Sequence, residues 1–205
     1  MTDRVRYLDK KILARGWGTL TSHTIAYTGD NGTQTLVREV YDHGNAAAVL
    51  LINREAGEIT LVRQFRLPAY LNGDGAQIIE ACAGLLDGDE PQTCARKEAM
   101  EETGIAPSTL IHAFDIYASP GSLSEKTHCF IGLYTQADCT GQGGGLAHEG
   151  EEIEIVTLTA SDILGLTRDG TIIDAKTVAL IQYAALEGYL ERGAVHRNRA
   201  RGEKD

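Results

Sequence analysis

Residues 83–90 read Ala83-Gly84-Leu85-Leu86-Asp87-Gly88-Asp89-Glu90, and beyond Ala95 the chain continues Arg96-Lys97-Glu98-Ala99-Met100-Glu101-Glu102-Thr103-Gly104. The first segment is an apolar strand running into a glycine-containing loop, and the second is rich in helix formers. On a helix at about 100° per residue, Glu98 and Glu102 project one above the other and Glu101 lies beside them. Like charges four apart destabilise an isolated helix by about 0.2–0.5 kcal/mol per pair. They also sit near the C-terminal end, where the helix dipole disfavours anions. Lys97 is spaced to pair with Glu101, but Glu98 and Glu102 have no such partner in the pattern. Taken alone, such a cluster would more often be a solvated acidic face. The alternative is a bound cation, because hard divalent ions such as Mg²⁺ accept carboxylate oxygens and share them with substrate phosphates.

The helix is expected from Glu90 to Thr103, with Asp89 as N-cap, Gln92 three residues on, Pro91 in the first turn and Gly104 closing the end. Upstream, the first forty-odd residues read as strands, with Thr19–Thr28 and Thr35–Tyr41 flanking the hairpin signal Gly29-Asp30-Asn31-Gly32. Ala46–Ile52 and Ile59–Phe65 form a second pair, followed by a loop holding Pro68 and Asn72-Gly73-Asp74-Gly75, then the apolar run Gln77–Leu86. Downstream come strands at Leu110–Ala118, Thr127–Tyr134 and Ile153–Leu158, and a helix from Asp174 to about Arg192 with Val178, Ile181, Ala185 and Leu190 on its apolar face. Strands mixed with two substantial helices in this order predict an α/β layered sandwich.

The chain has 205 residues and a formal charge of −10, which suits one domain of ordinary composition. A negative surface without a Lys/Arg cluster ahead of the tail excludes nucleic acid as a partner. Anionic substrates remain open where a metal ion reverses the local sign. The longest apolar stretch, Ala46–Ile52, is far short of the roughly 20 residues a membrane span needs. The start lacks a signal-peptide core, so no membrane association and a cytoplasmic location are expected. Cys82, Cys94, Cys129 and Cys139 show no CxxC or zinc-like spacing and read as reduced thiols. The six histidines are scattered, and His112, inside an apolar run, reads as structural.

The stretch from Gly84 to Ile105 resembles the Nudix box, Gly-x5-Glu-x7-Arg-Glu-U-x-Glu-Glu-x-Gly-U, at Gly84, Glu98, Glu101, Glu102, Gly104 and Ile105. It departs in having Lys97 for Arg and one residue fewer between Gly84 and Glu98, so either Asp89 or Glu90 could be the acid that partners Lys97. Further segments resemble the GDP-mannose pyrophosphatases of the ADP-ribose pyrophosphatase branch. They are Arg38-Glu39-Val40-Tyr41-Asp42, Arg63-Gln64-Phe65-Arg66, Cys82-Ala83-Gly84-Leu85-Leu86-Asp87, Arg96-Lys97-Glu98, Ser119-Pro120-Gly121 and Asp174-Ala175-Lys176-Thr177. The likeness runs from about Lys11 to Leu190.

That resemblance implies a Nudix α-β-α sandwich at 44–196, an N-terminal antiparallel strand subdomain at 1–43 and a mobile tail at 197–205. It implies Mg²⁺, with Mn²⁺ as the alternative ion, held by Glu98, Glu102, Glu101 and the Ala83 carbonyl. Glu151, after the glycine-rich stretch 141–145, is the implied catalytic and metal-binding loop acid, with Glu149 and Glu152 as alternatives. Trp17, Arg38, Glu39, Arg66, Glu125 and Lys176 are the implied substrate contacts, and a homodimer with swapped N-terminal strands would carry Trp17, Arg38 and Glu39 to the partner's site. The implied reaction is hydrolysis of a nucleotide sugar, GDP-mannose to GMP and mannose 1-phosphate. ADP-ribose hydrolysis is the alternative within the class, and a nucleotide-sugar sensor without turnover is the alternative outside it.

Overall fold

The computed structural model describes residues 4–146 and 150–191. The chain opens with β1 (Val5–Arg15), β2 (Thr19–Gly29) and β3 (Gly32–Asp42), which pair in sequence order as an antiparallel sheet of their own. Asp30 and Asn31 make the two-residue turn between β2 and β3, with Gly29 opposite Gly32, as the Gly-Asp-Asn-Gly signal predicts. β1 falls within the forty-odd residues expected as strands, although its own span carries no marking in the sequence. Every residue of β1 is exposed, and its Val, Leu and Ile side chains follow no two-residue period that would have marked it.

The rest of the chain is built from β4 (Ala46–Asn53), β5 (Glu58–Phe65), α1 (Leu67–Asn72), β6 (Gln77–Glu80), β7 (Cys82–Leu85) and α2 (Pro91–Thr103). Then follow β8 (Thr109–Ile116), β9 (Thr127–Leu133), β10 (Glu154–Thr159), α3 (Ala160–Arg168) and α4 (Ala175–Leu186). The strands form one mixed sheet in the order β10-β5-β4-β9-β8, with β6 on β5 and β7 on β4. β4 runs parallel to β9 and is buried along all eight residues. A strand covered on both faces reads as one apolar run, because neither set of alternate side chains meets water. Ala48, Leu50 and Ile52 enter the core layer shared with Ile163, Leu180 and Ile181 of α3 and α4. Ala47, Val49 and Leu51 enter the layer shared with Cys94, Ala95 and Ala99 of α2. Helices therefore cover both faces, and the architecture is an α-β-α sandwich beside the N-terminal sheet.

Several local expectations need correcting. The 68–75 loop contains α1, with Pro68 in its first turn and Gly73 as a left-handed cap, positions that suit both residues. The Gln77–Leu86 run is two strands, because the chain changes partner at Ala81, whose N–H leaves the ladder and donates to Thr177 Oγ1 at 2.7 Å. α3 was not foreseen, and its Thr159 cap accepts from the Asp162 N–H. The N-cap of α2 is Glu90, without a side-chain cap bond, and not Asp89. α4 stops at Leu186, short of Arg192. The tail at 197–205 lies outside the described residues. Among the described residues no helix is long and apolar enough to cross a membrane.

Candidate active site

β7 delivers the chain to α2 through a tight turn. Asp89 N–H donates to the Leu86 carbonyl at 2.7 Å, while Asp87 and Gly88 both have positive φ, 45° and 95°. Asp-Gly suits such a turn because glycine takes the left-handed conformation freely and Asp tolerates it. Pro91 then starts the helix, which lies so close to β7 that a Cβ on Gly84 would fall onto the Glu98 carboxylate. Glycine at 84 is thus what lets the Glu98 side chain lie against β7.

Glu102 lies one turn further on and is only 1% exposed. Burial, then the neighbouring Glu98, pushes its carboxyl up to about 8, and Glu151 adds to the rise while the Cys82 thiol and Arg66 oppose it. Its Oε2 has no hydrogen-bond partner among the described residues. Glu151 reaches this cluster because its loop hangs from the end of α2. Gly144 N–H donates to the Glu102 carbonyl at 2.9 Å and Gly145 N–H to the Glu101 carbonyl at 3.1 Å. Gly143 (φ 65°) presses so closely on α2 that a Cβ there would stand 2.7 Å from the Glu102 carbonyl oxygen. The Glu151 carboxylate itself accepts the Leu146 N–H at 2.9 Å.

Three carboxylates are therefore gathered, and one of them, Glu102, is buried with an orphaned oxygen. A buried polar atom without a partner costs about 1–3 kcal/mol, and a divalent cation would satisfy it and quench the repulsion. The donor set is all oxygen, which suits Mg²⁺ and Mn²⁺. Glu101 is less committed: it is the strongest influence raising the Lys97 pKa, ahead of Glu98 and Asp89. Asp89, upstream, also raises the Lys97 pKa, after Glu101 and Glu98. Glu152 is exposed, and Glu149 lies outside the described residues.

A cavity of about 310 Å³ opens beside this cluster, lined by Ala83 and Gly84 on one side and by Arg66, Glu80 and Lys176 on another. Arg66 donates through Nε and Nη2 to Glu80 Oε2 at 2.9 and 2.7 Å. Lys176 Nζ stands 3.4 Å from Glu80 Oε1 and 2.9 Å from Asp174 Oδ1. Burial alone would lower the Lys176 pKa, but Glu80 and Asp174 outweigh it and raise it, so the ammonium stays charged. Asp174 also caps α4, accepting the Thr177 N–H at 3.0 Å. At the mouth, Trp17 stacks on His43 with centroids 4.6 Å apart and planes at 23°. His43 Nε2 is 3.5 Å from Glu125 Oε2, and Thr127 Oγ1 donates to Glu125 Oε1 at 3.0 Å.

The structure thus brings Trp17, Arg66, Ala83, Glu125 and Lys176 to one cavity, with Glu98, Glu102 and Glu151 alongside. Trp17 borders the cavity of its own chain, whereas the sequence reading sent it to a partner. Arg38 and Glu39 do not reach this cavity; both are exposed on β3, and Arg38 Nη1 donates to the Val37 carbonyl at 2.8 Å. Three contributors were missed: His43, Glu80 and Asp174. Glu80 could have been found as the lone acid inside the apolar Gln77–Leu86 run, since an unpaired carboxylate is rarely buried. Nothing local marks His43, whose stacking partner Trp17 and acid Glu125 come from distant segments.

Known proteins resemble the chain over most of its length. The NUDIX domain matches residues 42–180, and the domain described as the GDP-mannose pyrophosphatase NudK N-terminal domain matches residues 4–41. The GDP-mannose pyrophosphatase of Cronobacter sakazakii is 44% identical over 193 residues, covering 93% of this chain and 100% of that protein. Its namesake from Pectobacterium atrosepticum is 40% identical over 195 residues, covering 94% and 100%. A crystal structure of an ADP compounds hydrolase superposes with a TM-score of 0.70 at 20% identity, covering 91% of this chain and 96% of the other, which speaks for the fold. With the acids of the box gathered on α2 and the domain match spanning most of its length, the chain belongs to the Nudix hydrolase family.

Proposed function

We propose that the chain hydrolyses the diphosphate bond of a nucleoside diphosphate sugar, converting GDP-mannose to GMP and mannose 1-phosphate with Mg²⁺, or Mn²⁺, as cofactor. The observation that carries this reading is one cavity bordered by an acid cluster with an orphaned oxygen, two cations and an exposed aromatic ring. Full-length likeness to proteins named GDP-mannose pyrophosphatase supports the substrate.

Glu98 and Glu102, with Glu101 and the Ala83 carbonyl, would hold the ion. When bound, it would neutralise non-bridging phosphate oxygens and make a nearby water more acidic. Arg66 and Lys176 hold the diphosphate, both oriented in advance by Glu80. Glu151 takes the proton of the attacking water. Trp17, 75% exposed, offers its face to the base, and Glu125 with His43 faces the remaining polar groups. Arg38 and Glu39 contribute from a partner subunit in a homodimer built on the N-terminal strands. The free thiols Cys82, Cys94, Cys129 and Cys139 suit the reducing cytoplasm.

Product analysis tests the reaction. GDP-mannose should give GMP and mannose 1-phosphate in equal amounts, and release of GDP with free mannose would refute cleavage between the phosphorus atoms. Stacking on Trp17 tolerates any purine, so guanine preference must come from hydrogen bonds to the base edge. A kcat/KM for ADP-ribose at least tenfold above that for GDP-mannose, about 1.4 kcal/mol at the transition state, would reassign the substrate and leave the chemistry in place.

A further inference from the structure

Among the described residues β8 lies at the edge of the mixed sheet, paired with β9. In a regular strand, residues three apart point to opposite faces, so His112 and Asp115 should diverge. They do not, because the register slips between His112 and Phe114: His112 stands opposite Phe130, and Phe114 opposite Cys129. The extra residue at Ala113 is a β-bulge, a device that re-aims the side chains on either side of it. Asp115 then falls directly opposite His128 on β9, and the three side chains converge. His112 Nε2 lies 2.9 Å and His128 Nδ1 2.8 Å from Asp115 Oδ1. One ligand atom from each residue lies within 4.8 Å of the other two.

We infer that His112, Asp115 and His128 form a second metal site, separate from the carboxylate cluster on α2, that takes a transition ion of the Zn²⁺ class. Two imidazoles and one carboxylate are the donors such ions favour, whereas Mg²⁺ prefers oxygen alone. None of the three residues lines the catalytic cavity. Three protein ligands leave a position for water, as in open zinc sites. The approach is open, since the side chains are 46%, 38% and 16% exposed for His112, Asp115 and His128. One contact competes: Lys126 Nζ lies 3.6 Å from Asp115 Oδ2. It engages the other carboxylate oxygen, and a side chain 34% exposed can extend into water. Each ring must turn a lone pair toward the ion, so the two hydrogen bonds now made to Oδ1 are exchanged for metal bonds. The His112 ring already packs edge-on against Phe130, with centroids 5.5 Å apart, which limits its rotation. An ion here would clasp the edge strand to β9.

The test uses the full chain freed of metal and then given excess Mg²⁺. Zn²⁺ should raise the melting temperature of the parent protein and of Glu98→Gln, and should leave His112→Asn and Asp115→Asn unmoved. Co²⁺ should produce the visible absorption of a nitrogen-ligated ion. Its affinity should fall by at least about tenfold in His112→Asn, since loss even of outer-shell partners costs about 10–100-fold. His112 is exposed enough for that variant to fold, so it decides the matter if His128→Asn does not. An unchanged Zn²⁺ response in His112→Asn, or one abolished by Glu98→Gln alone, would overturn the site.

Discussion

Glu102 is where the energetics of the site concentrate in one residue. Its carboxyl is held protonated to about 8 in the folded chain by burial and by Glu98, against an ordinary value of 4.5. Between those values the folded state binds a proton that the unfolded state has released. Stability of the metal-free protein is therefore highest below about 4.5 as far as this group is concerned, and it declines as pH rises toward 8. In chelator, the melting temperature should fall from pH 5 to pH 8, and Glu102→Gln, which needs no deprotonation, should flatten that fall. An equal slope in the variant would assign the pH dependence to other groups. A bound cation reverses the preference, because it favours the ionised carboxylate. The spacing of Glu98 and Glu102 already announced this conflict in the sequence, where two acids one turn apart near a helix end had no local cation. What the spacing could not show was the burial of Glu102, which comes from α2 packing on β7 and β4.

At the scale of elements, the acidic helix, the central strand β4 and the strand pairs on either side were legible, because each is written in a local period. The pairings that shape the cavity were not. Glu80 on β6 meets Arg66 at the start of α1 and Lys176 from a helix far along the chain, and Trp17 meets His43 only because β2 and β3 return the chain to the mouth. The glycine-rich segment lies between: its composition gives no contact, whereas the described residues show Gly143, Gly144 and Gly145 docked on the carbonyl end of α2. That docking fixes where Glu151 stands. Glu151→Gln keeps the shape and the capacity to accept the Leu146 N–H but cannot take a proton from water. It should lower kcat by about 10²–10⁴-fold, the usual reach of general-base catalysis, with a far smaller change in KM. Turnover within a few-fold of the parent would move the role to Glu149 or Glu152, or to solvent.

The whole molecule leaves one sheet without a core. β1 to β3 form a three-stranded layer in which Tyr7 and Val37 are 66% and 57% exposed and Leu8, Ile12 and Leu13 lie uncovered as well. Backbone contact with the sandwich occurs where Tyr41 N–H donates to the Ser122 carbonyl and Ser124 N–H to that of Tyr41. Exposed apolar side chains on a sheet of this kind suit an interaction site, and the proposed homodimer would also account for Arg38 and Glu39, which are exposed away from their own cavity. A stable interface buries about 800 Å² per partner, an extent that a sheet of three eleven-residue strands can supply. The arrangement proposed here differs from the expectation drawn from sequence in one respect: Trp17 serves its own subunit, and only Arg38 and Glu39 cross. Glu98→Gln and Arg38→Ala proteins, each impaired alone, should recover activity when mixed under conditions of subunit exchange. Each heterodimer then holds one site with an intact Glu98 and an intact Arg38 from the partner. The same experiment with Trp17→Ala in place of Arg38→Ala should recover nothing by this route, because a Trp17 that serves its own subunit leaves neither site of the heterodimer whole. Recovery with Trp17→Ala, or none with Arg38→Ala once exchange is demonstrated, would refute the arrangement.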